Sequence, residues 1–283
     1  MIAGGVQKRP GGYPMRRVVG FLVKALGAIA AVVLLSGFGA YAAAASPATS
    51  TPVFVELFTS EGCSSCPPAD ELLAAIEQKI PNVVVLSEHV TYWNHDGWTD
   101  PFSTAESTDR QADYVYRMGL KSSYTPEMVV DGKKEFIGSD ARAATDAIKG
   151  AMDDARTPVS ISGVTVGADR RVNFEIVTGT VRSSSVLFVV AAQDEGTKHV
   201  STGENGGHTL RHVMIARSFT QAAKIKGGGS YSGHLAVKLP EAVSGSGWHL
   251  VAFVQQGRGG AVVGAASAAV PNEGASSAMG LGQ

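Results

Sequence analysis

Cys63 and Cys66 are the only cysteines among 283 residues, and two serines separate them in Glu61-Gly62-Cys63-Ser64-Ser65-Cys66-Pro67-Pro68. Thiols at this spacing can close a small disulfide and open it again, through a thiolate nucleophile and a second thiol that resolves the mixed disulfide. An apolar run at 53–59 precedes them and a helical stretch at 68–79 follows, so the pair sits at a strand-to-helix junction. Free N–H groups and the helix dipole would stabilise a thiolate there. The expectation is that Cys63 opens the helix, exposed and reactive, while Cys66 lies one turn in, shielded, as the resolving thiol. Pro67 and Pro68 suit the first helical turn, where a missing donor is harmless. Two other uses of the pair stay open. A structural disulfide closing so short a loop would constrain the unfolded chain little. A copper or zinc site would have to draw on Cys63, Cys66, His89 and His95, because no second cysteine pair exists.

Further residues gather around this chemistry. Glu56, seven positions before Cys63, could relay a proton to or from Cys66 if buried beneath the pair, or be a carboxylate at a strand end. The stretch HVTYWNHDGW at 89–98 concentrates two histidines and three large aromatics after the second apolar run. It could form a substrate surface through Tyr92 and Trp93, or simply pack its aromatics on the protein. Thr125-Pro126 stands immediately before a short strand. Glu204, Asn205, His208 and His212 flank a glycine-rich loop and read as turn formers or as groups reaching the cysteine-bearing half.

The elements alternate at first: an apolar run at 83–88, a helical stretch at 104–118, strands at 127–130 and 134–137 around Asp131-Gly132, and a helix at 140–153. The Asp-Gly pair marks a hairpin. After Pro158 the pattern turns to β-type runs at 159–166, 171–178, 185–193, 209–219, 232–239, 248–255 and 261–270. These lengths and breaks predict two domains with separate cores, an α/β domain at 53–154 and an all-β, sandwich-like domain at 159–270, with a disordered tail at 271–283.

Residues 1–45 carry five bases and no acid, which leaves 19 bases against 25 acids in the remainder. So acidic a body has no electrostatic footprint for nucleic acid. Arg16-Arg17, an uncharged stretch at 25–45 and a run of small residues up to Ser46 have the order of a secretory signal, with an uncleaved membrane anchor as the alternative and a linker at 46–52. Either way the body is expected outside the cytoplasm, periplasmic or extracellular, touching a membrane only through an uncleaved N-terminal segment.

The order of cysteine pair, helices, Thr-Pro, strand, turn, strand and helix resembles the thioredoxin fold. That resemblance implies a cis bond at Thr125–Pro126, with Pro126 against the cysteines and Thr125 offering its backbone to an incoming peptide. More closely, the chain resembles an exported bacterial family known as domain of unknown function 1223. The matching stretches are VELFTSEGCSSCPPAD at 55–70, HVTYW at 89–93, GWTDPF at 97–102, YTPEMVVDG at 124–132 and GEN at 203–205. The family implies a thioredoxin-like half and a β-rich half, and no settled activity. Ser64-Ser65 departs from the Gly-Pro that thioredoxin itself has between its cysteines. The first functional expectation is therefore an exported thiol–disulfide oxidoreductase that acts on protein thiols or disulfides, or on a small thiol, with no cofactor beyond its own disulfide. A copper- or zinc-binding protein and a non-catalytic partner-binding module are the alternatives.

Overall fold

The computed structural model describes residues 51–95, 97–245 and 247–272, so the expected signal or anchor, the start of the linker and the tail from 273 lie outside the described residues. Strand β1, Val53–Thr59, is buried along its whole length. It pairs in parallel with β2, Val83–His89, on one side and antiparallel with β3, Glu127–Val130, on the other. Alternation along β1 splits its side chains between two faces. Leu57 points to the face covered by helix α1, Pro67–Lys79, where its Cδ1 and the Ala69 side chain crowd Gly138. On the opposite face Phe58 meets Tyr114 of helix α2, Ala105–Met118, edge-on with ring centroids 6.0 Å apart.

Local chemistry sets the ends of these elements. Thr104 caps α2 by accepting from Ser107 N, and Gly119, at φ +70°, closes its other end. Asp131 and Gly132, both left-handed, turn β3 into β4, Lys134–Ile137. Asp140 caps helix α3, Ala141–Met152, through the amides of Arg142 and Ala143. After α3 the described elements are all strands: β5 Val159–Val166, β6 Arg171–Thr178, β7 Ser185–His199, β8 Thr209–Ile225, β9 Tyr231–Lys238, β10 Trp248–Gln255 and β11 Val262–Ala269.

The expected thioredoxin-like α/β domain followed by a separate all-β sandwich is overturned. Strands from both halves form one mixed eight-stranded sheet, in the order β11-β10-β7-β8-β2-β1-β3-β4, and only β5, β6 and β9 form a second sheet. β8 lies parallel to β2, with Ser87 opposite Ile215. One buried cluster holds Val53, Phe54 and Leu73 together with Val190, Val251 and Phe253. Phe54 stacks on Phe253 at 4.8 Å and Phe253 on Phe188 at 5.2 Å. The three-stranded sheet has a core of its own, in which Val172, Phe174 and Ile176 pack on Leu187, Val189 and Leu250.

The reason is one of edges. A strand pattern reports what a segment is, not which neighbour it pairs with, and β2 beside β1 alone would leave a bare edge. β8 fills that edge. The stretch between α3 and β5, which reads as a break, is tied to both halves: Arg156 reaches Asp131 and the Ala151 carbonyl, and Thr157 N donates to Val263 O at 2.7 Å. Asp131 in turn accepts from Phe54 N through Oδ1 and from Val262 N through its carbonyl, each at 2.8 Å. The sheet thus curls until the start of β11 reaches the β3–β4 turn. Among the described residues no helix is long and apolar enough to cross a membrane.

Candidate functional site

Cys63 and Cys66 are joined by a disulfide, with Cα atoms 5.4 Å apart. Helix α1 begins at Pro67 and Cys66 occupies its N-cap position, so Cys63 lies ahead of the helix, in a turn closed by Cys66 N to Cys63 O at 3.1 Å. Exposure also differs from expectation. Cys63 is 1% exposed and Cys66 0%, while Ser64 and Ser65 face solvent. The cover comes from the loop between β7 and β8. Asn205, itself buried, donates its side-chain amide to Glu61 O at 2.9 Å and to Cys63 O at 3.0 Å. Glu204 Oε2 accepts from Ser64 N at 2.9 Å, which holds its carboxyl below the usual range. Thr202 reaches across to the Gly97 carbonyl, tying the same loop to the segment before α2.

A second support comes from the 3-10 turn Thr91–Trp93. A side-chain carbon on Gly62 would lie 3.1 Å from both Cβ and O of Trp93, a tight fit that would press the two segments apart. The indole Nε1 of Trp93 then donates to Thr125 Oγ1 at 2.7 Å. Thr125–Pro126 is cis. Pro126 faces the first turn of α1 across Gly138, where an added carbon would meet Pro126 Cβ at 3.1 Å and Ala69 Cβ at 3.3 Å. The structure therefore gathers the cysteine turn, Trp93, Thr125 and Pro126 into one region. Tyr92 turns inward instead, its hydroxyl donating to Gln111 at 3.0 Å, and burial pushes that hydroxyl up to about 12.

Beneath the turn lies a set of buried ionisable groups. His212 of β8 is wholly buried, with Nε2 3.4 Å from Glu61 Oε1 and Nδ1 3.6 Å from Asp70 Oδ1. Burial opposes a charged ring, yet Asp70, Glu61 and Asp100 outweigh it and hold His212 up to about 10. Glu61 also accepts from Trp98 Nε1 at 2.9 Å. His89 stands edge-on to His212 at 4.5 Å and bonds Asp100 Oδ2 through Nδ1 at 2.7 Å. The same Oδ2 accepts from Glu61 N at 2.9 Å. Burial works against the Asp100 carboxylate, but His89 and the backbone amides of Glu61 and Phe102 bring it down to about 2.

Glu56 is placed elsewhere. Its carboxylate lies on the α2 face, opposite α1, bonded to Arg110 and accepting from Tyr114 OH at 2.6 Å. Arg110 also reaches Glu88 at 3.4 Å and Gln255 at 2.8 Å. Burial, with Glu56 adding to it against Arg110, pushes Glu88 well above the carboxylate range. Glu127, next to Pro126, accepts from Gln111 at 2.6 Å, and burial raises it to about 7.

The metal alternative is not assembled. Both sulfurs are in the disulfide, His89 is engaged by Asp100, and His95 stacks over Trp93 at 6.5 Å. Among the described residues no group of three or more His, Cys, Asp or Glu is arranged to hold a metal ion. Glu61, Asp70 and Asp100 escape a reading of the sequence, because each looks like an ordinary acid near a turn. Their one signal is position: Glu61 and Asp70 bracket the cysteine segment.

A cysteine pair at a strand-to-helix turn, clamped by a loop from the far half of one mixed sheet, defines the class. The chain belongs to the family described as "Protein of unknown function (DUF1223)", whose pattern matches residues 54–255. Its fold is similar to that of the crystal structure of protein AGR_C_4864 from Agrobacterium tumefaciens, at 28% identity and a TM-score of 0.63, over 79% of this chain and 96% of that one. It is also similar to HBP35 of Porphyromonas gingivalis, at 19% identity and a TM-score of 0.57, over 78% of this chain and 76% of that one. No curated protein matches it.

Proposed function

We propose that this chain is an exported thiol–disulfide oxidoreductase whose working groups are Cys63 and Cys66. One observation carries the reading: the chain's only two cysteines close a disulfide in a turn that Asn205, Glu204 and Asp100 already hold by hydrogen bonds. A bond across so short a loop removes little entropy from the unfolded chain. Where the turn is already secured, a purely structural disulfide adds little. A pair that opens and closes within a fixed frame is what exchange requires.

From the oxidised pair, a substrate thiolate attacks Cys63 Sγ, a new S–S bond forms, and Cys66 leaves as a thiolate. A second substrate thiolate then attacks the substrate sulfur of the mixed disulfide and releases Cys63. The substrate departs as a disulfide, and its two electrons stay with the pair. Run backwards, Cys63 is the nucleophile and Cys66 the resolving thiol. No cofactor is needed, since the disulfide carries the electrons; substrates are protein thiols or disulfides, or a small thiol. Trp93, which touches the turn at Gly62, and Thr125, to which its indole donates, would meet the substrate's backbone. The basic flank and apolar stretch at 16–45 support an extracytoplasmic place of work.

The test is trapping. Cys66→Ser should accumulate a mixed disulfide on Cys63, readable by mass spectrometry, and Cys63→Ser should abolish exchange with glutathione. A wild-type pair that does not exchange with glutathione, together with no adduct on Cys66→Ser, would overturn the reading.

A further inference from the structure

The two carboxylates that bracket the cysteine segment face the same imidazole. Glu61 stands two residues before Cys63 and Asp70 four residues after Cys66, and His212 puts one ring nitrogen toward each, at 3.4 and 3.6 Å. His212 arrives from β8, a strand of the other half of the chain, and is 1% exposed. Neither nitrogen, nor Glu61 Oε1, nor Asp70 Oδ1, has a hydrogen bond shorter than these ion-pair contacts. The ring is held on its sides by His89 at 4.5 Å and Phe102 at 5.5 Å. It cannot turn away without opening the core.

We infer that His212 is the positioning residue of the Cys63–Cys66 pair: it ties both ends of the cysteine turn together and supplies the buried positive charge that offsets the thiolate formed when the disulfide opens. The inference rests on the exchange reading above. When a substrate thiolate attacks Cys63 Sγ and Cys66 leaves, one negative charge moves from substrate sulfur to Cys66 Sγ, inside a turn whose cysteines are buried. Burial without a compensating charge resists that transfer. The charged and titratable groups that face the ring are Glu61 from the turn, Asp70 from α1, His89 from β2 and Asp100 from the segment before α2, with Arg217 of β8 over Phe102. Without His212, Glu61 and Asp70 would stand unpaired by it at the two ends of the segment that carries the new thiolate.

Two measurements on the full chain test this: the equilibrium of the pair in glutathione redox buffers, and the pH dependence of alkylation of the pair after reduction. His212→Gln should shift the equilibrium at least tenfold toward the disulfide and raise the alkylation midpoint by about one pH unit. Glu61→Gln, which removes a negative charge and keeps the ring, should shift both the opposite way. The inference is overturned if His212→Gln retains the wild-type melt and neither quantity moves, or if Glu61→Gln moves them in the same direction as His212→Gln. Should His212→Gln not fold, the direction of the Glu61→Gln shift decides. If even the wild-type pair does not exchange with glutathione, the functional reading fails, while the alkylation profiles still judge the role of His212.

Discussion

Asn205 donates to the carbonyl oxygens of Glu61 and Cys63, at 2.9 and 3.0 Å, so one amide from the second half of the chain fixes the turn that carries the first cysteine. Both acceptors flank Gly62, the point at which the turn touches Trp93.

Asn205→Ala should leave two carbonyls without that donor in a buried setting, at a cost of about 2 kcal/mol. Urea melts measure the loss. The same variant should be reduced by dithiothreitol several-fold faster than wild type, because the cover over Cys63 loosens. An unchanged reduction rate would mean that the loop does not control access.

Arg110→Met should destabilise by about 3–5 kcal/mol, since it strips the cation from Glu56, which is wholly buried. Glu88→Gln should destabilise far less than Arg110→Met, because burial, with Glu56 adding to it, pushes that carboxyl toward its neutral form. Denaturant titrations of the two variants check the contrast.

Glu127 predicts a pH slope. Its carboxyl rises from 4.5 to about 7 in the fold, through burial first and Glu135 and Glu56 besides. Below about pH 4.5 folded and unfolded chains both hold the proton. Between there and pH 7 the unfolded chain releases it first, so stability falls across that window, by roughly 3 kcal/mol at most. Glu127→Gln should lose this fall. The difference in unfolding free energy between variant and wild type, followed from pH 4 to 8, isolates it from the separate decline that His212 gives as pH rises from 6.5 through about 10.

A fragment of residues 50–154 should not fold alone. It would keep β1 and β2 but lose β8 from the edge of β2, and Phe253 and Val190 from the shared cluster. Circular dichroism during heating should show no cooperative transition.

The elements were legible because their causes are local. Val53–Thr59 is an apolar run, Asp131-Gly132 has the residues of a left-handed turn, and Thr104 and Asp140 are capping side chains. The pairing of the two cysteines was legible because a two-residue spacing suits a disulfide. The joining of the halves was not, because nothing along β2 or β8 states that Ser87 lies opposite Ile215. For the same reason Glu56, on the strand leading to the cysteines, read as an acid that could relay a proton from beneath them, whereas the buried groups that meet at the turn are Glu61 and His212. Strand alternation sends Glu56 to the other face, and only tertiary contact brings His212 in.

The pairing of Asn205 with Cys63 also orders events in time. The two residues are 142 positions apart, so the ribosome completes the cysteine turn long before the loop that covers it exists. At about 5–20 residues per second that interval is on the order of ten seconds. Throughout it both cysteines travel on an unfinished chain that has neither the Asn205 loop nor β8. The surroundings of the nascent pair and those of the finished pair are therefore different, and the second set is complete only when the last third of the protein arrives.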